Sequence, residues 1–354
     1  MGGAYCSLIK NNPRWILADF SSLPTNTVTM TDDSRMISSS VENPSSGEQA
    51  QYSAALRKTL EETENAVLDL AGVDSRSSEA ASWQRARQIV EELRPVPWFI
   101  WRLSNFVLGT SGVIHNVPEG LVFGLRRLLF AAASDPIIGT GQKVDQVPKA
   151  LKVLAPDVVA AVGVMHAMCR KLASKHLDRM WRPILDDALI RAQIGFHAAS
   201  NEPQFGKGRG MLAGFAGRVG LVILIACGDE AQAQKALEEI ASGADAKKVA
   251  HTHYGCDAMQ VSAMTLSAAG CGRDCAFGTV NYAMDRAGCL LPEAGQARWL
   301  AAFDITEHVR TGTTQQVGED TWEFLQLTST ESREKLAAEA KKCIRRGHGW
   351  QWML

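Results

Sequence analysis

Apolar residues recur at intervals of three and four positions almost without interruption from Ser82 to the end of the chain. This spacing is the period of an amphipathic α-helix, and the strict alternation that is typical of a half-buried strand is almost absent. Glycines follow several apolar segments, at the places where helices commonly end. The pattern predicts an all-α fold, a compact multi-helix body with short connections. The predicted helices cover residues 83–93, 97–108, 121–133, 146–154, 156–171, 177–199, 210–227, 231–242, 257–269, 275–287, 292–310 and 331–346.

The composition divides the chain into three parts. Residues 21–53 are rich in Ser, Thr, Asn, Asp and Pro, so they bury too little apolar surface to offset the entropy cost of ordering. We expect residues 1–80 to be disordered or loosely attached, with one helix over 52–70. Residues 82–330 form the predicted main domain. Residues 331–354 form a predicted C-terminal helix and a tail with Trp350 and Trp352. A basic helix end beside two tryptophans can contact nucleic acid or a membrane surface, but we favour packing of the tryptophans onto the body.

Charge and cysteine usage narrow the function classes. The formal net charge is −1, which gives no general attraction to nucleic acid or to acidic membranes. Any binding of an anion must therefore depend on a local patch. The eight cysteines among 354 residues are too few for a disulfide-stabilised scaffold. We therefore expect them to be reduced thiols, which favours a cytoplasmic protein.

The most apolar segment covers residues 211–227 and carries Arg218 near its middle. A bilayer span needs about 20 predominantly apolar residues, and a central arginine opposes insertion. We interpret this segment as a buried helix of a globular body and expect no membrane span.

Seven short motifs occur in the order found in one family of helical domains. Residues 212–220 (LAGFAGRVG) align without a gap with its "LAGLLHDIG" motif, and residues 254–262 (YGCDAMQVS) resemble its "xGxDHAEVG" motif. The other five lie at residues 94–97, 128–134, 139–154, 180–182 and 298–304. Over residues 94–327 the chain resembles the HDOD domain, a signalling relative of HD-type metal-dependent phosphohydrolases. The resemblance implies an HD-like helical fold and a role in bacterial signal transduction without phosphohydrolase activity.

The departures from the family pattern fall on the metal ligands. The first ligand histidine would stand at Pro183, the His-Asp pair at Gly217 and Arg218, and the later histidine at Ala258. Proline, glycine and alanine side chains offer no ligand atom, and arginine offers only hydrogen-bond donors. The alignment therefore predicts a pseudoenzyme with no metal and no cofactor.

Arg218 is the residue of greatest interest, because it carries a cation to the position of a metal-binding carboxylate. Two interpretations remain open. Arg218 pairs internally with Asp186, Asp187 or Asp257, since an unpaired buried charge is costly. Alternatively, it binds a small anion such as a nucleotide phosphate, with Arg182, Asp186 and Asp257 lining the degenerate pocket.

A zinc site is the other chemistry to be weighed. Histidines and cysteines of suitable type lie on both sides of the predicted helix 257–269, whose length of about 20 Å keeps the two groups from sharing one ion. They are His251, His253 and Cys256 on one side and Cys271 and Cys275 on the other. We therefore predict no zinc site.

The leading functional hypothesis is a non-catalytic signalling or regulatory module that binds another signalling protein. The first alternative is a sensor of a small anionic ligand, a nucleotide second messenger, in the degenerate pocket. The second is a residual metal-dependent phosphohydrolase that uses His251 or His253 together with Asp257.

Overall fold

The computed structural model describes residues 46–74, 76–109, 114–283 and 294–354. These residues form an all-α body, and no strand occurs among them. The helices are α1 (Ser46–Ala71), α2 (Ser78–Leu93), α3 (Trp98–Val107), α4 (Glu119–Val122), α5 (Arg126–Ser134), α6 (Val147–Val153), α7 (Pro156–Ala173), α8 (Asp178–Ala198), α9 (Lys207–Cys227), α10 (Glu230–Ala241), α11 (Ala246–Tyr254), α12 (Ala258–Ala268), α13 (Arg273–Ala283), α14 (Ala294–Thr311), α15 (Glu319–Phe324) and α16 (Thr330–Arg346).

The all-α prediction is confirmed, and most predicted helices agree with the structure to within a few residues. Two short helices, α11 and α15, carry too few apolar residues for the periodicity to reveal them. The predicted helix 121–133 is divided by a 3₁₀ turn at Phe123–Leu125. The end of the predicted helix 275–287 and the start of 292–310 lie outside the described residues.

Helix α9 lies at the centre of the body, in contact with α7, α8, α12 and α14. It is apolar on all sides, as a helix surrounded by other helices must be. Asp157 of α7 accepts a hydrogen bond from the backbone N–H of Gly208 at 2.6 Å and so satisfies a donor at the start of α9. Gly195 of α8 and Gly210 of α9 meet backbone to backbone, which brings these two helices unusually close.

Of the helices in the described part of the chain, α9 alone is long and apolar enough by itself to cross a bilayer. The bent pair of α6 and α7 passes the same test only when taken together, across a bend of 107°. In α9, 78% of the most apolar window is buried inside the protein. That burial is what a core helix shows.

Helix α1 is packed into the body, whereas the sequence predicted that residues 1–80 are disordered or loosely attached. Its apolar face is buried in the common core, through Tyr52, Leu56, Leu60 and Val67. The hydroxyl of Tyr52 donates to the backbone carbonyl of Val96 at 2.5 Å. The helical body therefore begins at α1 and not at residue 82, because this face of the helix covers apolar surface of α2 and α12. Residues 1–45 lie outside the described residues.

The C-terminal tail packs onto the body. Trp350 and Met353 are fully buried. The amide nitrogen of Gln193 in α8 donates to the backbone carbonyl of His348, and Nδ1 of His166 in α7 lies 2.9 Å from the carbonyl oxygen of Met353. Helix α16 packs on α8 beside this tail. The segment 331–354 is thus joined to the main body and not separate from it.

Candidate functional site

The aligned metal-ligand positions lie on α8, on α9 and at the start of α12. Pro183 lies on α8 one turn before Asp187, and Asp187 lies beside Arg218 of α9. Ala258 is the first residue of α12 and packs against Gly220 of α9. Arg218 lies at a meeting point of α8, α9 and α14, whereas α12 packs on α9.

An ion-pair network of five residues occupies this meeting point. Arg191 Nε donates to Asp187 Oδ2 at 2.7 Å, and Arg310 Nε donates to Asp187 Oδ1 at 2.8 Å. Arg218 Nε lies 3.3 Å from Asp187 Oδ2, and its NH2 atom lies 3.6 Å from Glu307 Oε1. Arg191 also donates to Glu307 through NH1. We call this set of residues the arginine network.

Burial makes the pairing in the arginine network obligatory. The side chains of Arg191 and Glu307 are 3% and 8% exposed. Burial alone would raise the pKa of Asp187, but the guanidiniums of Arg191, Arg218 and Arg310 outweigh it and hold the pKa below its ordinary value. The pKa of Glu307 is lowered for the same reason, with Arg191 as its strongest partner. Both carboxylates are therefore charged at neutral pH.

The donor set of this site does not fit a catalytic metal ion. Such an ion needs imidazole nitrogens and carboxylate oxygens around an open position. Pro183, Gly217 and Ala258 supply no side-chain ligand, and the two carboxylates present are bound to guanidiniums. Across the described ranges, no group of three or more His, Cys, Asp and Glu residues is arranged to hold a metal.

Arg182 and Asp186 lie on an adjacent face of α8, away from Arg218. Arg182 Nε is 3.6 Å from Asp186 Oδ1, and both side chains are well exposed. The Nε2 atom of His348 lies 3.3 Å from the same carboxylate oxygen. Asp186 thus connects α8 to the C-terminal tail and takes no part in the arginine network.

Asp257 serves mainly as the cap of α12. Its side chain accepts from the backbone N–H of Met259 at 2.8 Å, and Gln260 completes the predicted capping box. Its nearest cation is Lys247 of α11, at 3.9 Å. Burial raises the pKa of the Asp257 carboxyl, against the N–H of Met259 and the charge of Lys247. Of the three carboxylates considered as partners for Arg218, Asp187 alone pairs with it.

His253, one of the two histidines considered for a zinc or hydrolase site, has another partner. Nε2 of His253 lies 3.0 Å from Glu239 of α10. Cys256, Cys271 and Cys275 are buried, and burial raises the pKa of each thiol. The three thiols are therefore held as neutral, packed side chains.

The glycines of α9 play different parts at the site. A Cβ at Gly214 would overlap the backbone carbonyl of Arg191, and one at Gly220 would overlap that of Ala258. A Cβ at Gly217 would meet nothing within 4 Å. Two glycines therefore permit close helix packing, whereas Gly217 leaves open space beside Arg218.

Two cavities lie elsewhere on the body. One, of about 460 Å³, lies between α1, α3 and the end of α12 and is lined by Thr63, Trp101 and Ser267 among others. The other, of about 230 Å³, lies between the end of α8 and α16 and includes His197 and Lys335. No residue of the arginine network lines either cavity.

Three members of the arginine network could not be singled out by motif alone. Arg191 stands four residues after Asp187 within an otherwise apolar stretch of α8. Glu307 and Arg310 interrupt the apolar face of α14 in the same way. A charge on an apolar helix face signals a buried ion pair, but the sequence does not say which charges meet.

Comparison with known proteins identifies the fold and no more. No protein-family model matches the chain, and no curated protein sequence matches it significantly. A "putative signal transduction protein" from Marinobacter aquaeolei VT8 has a similar structure at 16% identity and a TM-score of 0.50; the match covers 77% of this chain and 66% of that one. A "putative phosphohydrolase" from Shewanella amazonensis SB2B is similar at 15% identity and a TM-score of 0.51, over 76% of this chain and 96% of that one. The chain therefore shares its helical fold with a protein named as a putative signal transduction protein and with one named as a putative phosphohydrolase.

Proposed function

We propose that this chain is a non-catalytic regulatory module of the HDOD type, which acts by binding another signalling protein. The observation that carries the proposal is the replacement of a metal-ligand set by the arginine network. Asp187 and Glu307 are bound to three guanidiniums, and the aligned positions Pro183, Gly217 and Ala258 have no ligand atom.

Electrostatics favours the same conclusion. A divalent cation entering this region would meet the positive charges of Arg191, Arg218 and Arg310 before it could displace them from Asp187. Breaking a buried ion pair costs about 3–5 kcal/mol, and no imidazole among the aligned positions would compensate for that loss. Hydrolysis by a metal-bound water would thus lack both its metal and its ligands.

The helical surface provides the means of binding a protein. Phe106 and Phe123 are large apolar side chains that are 42% and 66% exposed. Arg126 lies over the ring of Phe123, with its guanidinium carbon 5.3 Å from the ring centre. Exposed aromatic residues accompanied by arginine are enriched in protein–protein interfaces. They suit a module whose output is association.

The test combines elemental analysis with an activity assay. Purified protein that has never met a chelator is analysed for manganese, iron, nickel and zinc, and is then assayed with bis(p-nitrophenyl) phosphate in the presence of each metal. We expect metal far below one ion per chain and no hydrolysis above background. One or two metal ions per chain, or hydrolysis that Arg218→Ala abolishes, would refute the proposal.

A further inference from the structure

The arginine network carries an excess of positive charge. Three guanidiniums surround two carboxylates, and both carboxylates are ionised at neutral pH. One positive charge therefore remains uncompensated within the network. The excess lies toward solvent, because the side chains of Arg218 and Arg310 are 21% and 25% exposed whereas that of Arg191 is 3% exposed.

Hydrogen-bond donors remain available at the same edge. Arg310 uses Nε to bind Asp187, and its two terminal nitrogens have no hydrogen-bond partner among the described residues. Arg218 directs NH1 to the carbonyl oxygen of Gly217 at 2.9 Å and keeps NH2 3.6 Å from Glu307. An oxyanion at this edge would receive charge-assisted hydrogen bonds from groups already held in place.

Space is available beside these donors. Gly217 lies next to Arg218 and is partly exposed, and no atom outside its own turn of α9 lies within 4 Å of the place where a Cβ would stand. A side chain added here would therefore meet no other helix, and its charge would lie beside Arg218.

We infer that the Arg218–Arg310 edge of the arginine network binds a singly charged phosphodiester group. A single negative charge balances the excess, whereas a second one would remain uncompensated in a site that is about three-quarters buried, at a cost in desolvation. Arg218 and Arg310 approach the two oxygens of Asp187 from two different helices, so an added anion must reach the terminal nitrogens of both side chains. The four oxygens of a tetrahedral phosphodiester point in more directions than the two oxygens of a carboxylate, so we expect the diester to bind more tightly than a free carboxylate.

This inference rests on the proposed function, because the guanidiniums of Arg218 and Arg310 can bind an added anion only if no metal ion occupies the site. The experiment is an NMR titration of the full-length protein, labelled with ¹⁵N-arginine, at pH 8. It follows the Nε–Hε resonances of the arginine side chains. The resonance of Arg310 is identified by its absence from the spectrum of Arg310→Gln. The probes are dimethyl phosphate, 3′,5′-cyclic AMP and 5′-AMP, which has the same base and sugar but two charges, since the second pKa of a phosphate monoester is about 6. Acetate is the carboxylate probe, and sodium chloride at equal ionic strength controls for screening.

The variants Gly217→Glu and Gly217→Gln form a matched pair, because both fill the open space and only the first carries a charge. We expect dimethyl phosphate and cyclic AMP to shift the Arg310 resonance saturably in the wild type. The shift persists, weakened at most severalfold, in Gly217→Gln and disappears in Gly217→Glu, whose own carboxylate neutralises the excess. Circular dichroism and the melting temperature confirm that both variants fold.

Three outcomes would overturn the inference. The first is a folded wild-type protein whose Arg310 resonance does not respond to either diester. The second is tighter binding of 5′-AMP than of cyclic AMP, or an equal response to acetate, because either excludes a phosphodiester as the preferred ligand. The third is equal binding by the Glu and Gln variants. Absence of metal together with any of these results refutes the anion site alone, whereas bound metal at one ion per chain refutes the proposed function itself.

Discussion

The Nε atom of Arg310 donates to Oδ1 of Asp187 at 2.8 Å and so connects α14 to α8 through a charge-assisted hydrogen bond. The other oxygen of the same carboxylate accepts from Arg191 and lies near Arg218 of α9. One carboxylate therefore links three helices by binding guanidiniums where α8, α9 and α14 meet.

Replacing Arg191 by methionine tests how strongly the network holds the fold. Arg191→Met keeps an unbranched apolar stem but removes the guanidinium and so leaves the buried Glu307 without its closest cation. We therefore expect a loss of about 3–5 kcal/mol in the free energy of unfolding. Arg182→Met is the matched control, since Arg182 forms an exposed ion pair with Asp186 on the same helix and should cost less than about 1 kcal/mol. Urea denaturation measures both. Equal losses in the two variants would contradict the structural role assigned to the network.

The helices could be predicted from the sequence because their signals are local. The capping box of Asp257 and Gln260 is a pattern of four residues, and the structure reproduces it. The three-to-four spacing of apolar residues likewise depends on neighbours along the chain. Helix α11 was not predicted from the sequence, because only Val249, Ala250 and Tyr254 of its nine residues are buried.

The partners within the site were harder to predict because they are distant in sequence. Arg191 and Glu307 are separated by 116 positions, and Arg310 and Asp187 by 123. The alignment singled out Arg218, and the cost of an unpaired buried charge suggested Asp186, Asp187 or Asp257 as its partner. Whether Asp187 or Asp186 faces Arg218 depends on the rotation of α8 about its own axis. Two contacts help to fix that rotation: Asp186 lies near His348 of the tail, and Gly195 of α8 lies close to Gly210 of α9. Those contacts arise only in the folded body.

Gly214, Gly217 and Gly220, three of the five glycines of α9, should not respond alike to substitution by alanine. Gly217→Ala adds a methyl group in open space and removes the helix penalty of glycine, so it should stabilise the protein by about 1 kcal/mol. Gly214→Ala and Gly220→Ala place the same methyl group against backbone of α8 and α12, so the helices must shift and each variant should lose about 1–3 kcal/mol. Differential scanning calorimetry of the three variants would show this. A loss of stability in Gly217→Ala would mean that α9 and its neighbours lie closer than described.

Helix α1 should contribute to the global stability of the body. Leu60 is fully buried in the core, so Leu60→Ala is expected to cost about 2–5 kcal/mol. Glu61→Ala changes the exposed neighbour on the same helix and should alter the free energy of unfolding by less than about 1 kcal/mol. If α1 were only loosely attached, both variants would unfold with the wild-type midpoint in guanidinium chloride.

The contact between His166 and the tail predicts a dependence of stability on pH. Burial lowers the pKa of His166, with the bond to the carbonyl oxygen of Met353 opposing it in part. In the unfolded chain the imidazole has its ordinary pKa of about 6.5, so the unfolded state takes up the proton first as the pH falls. The contribution of His166 to stability is therefore complete above about pH 6.5 and is lost as the pH falls through the lower pKa of the folded state.

Urea denaturation at pH 7.5 and pH 5.5 should show a smaller loss of stability on acidification for His166→Gln than for the wild type. The pKa of His197, which burial also lowers, affects both proteins equally and cancels in the comparison. An unchanged pH dependence in the variant would show that the imidazole of His166 is protonated as easily in the folded protein as in the unfolded chain.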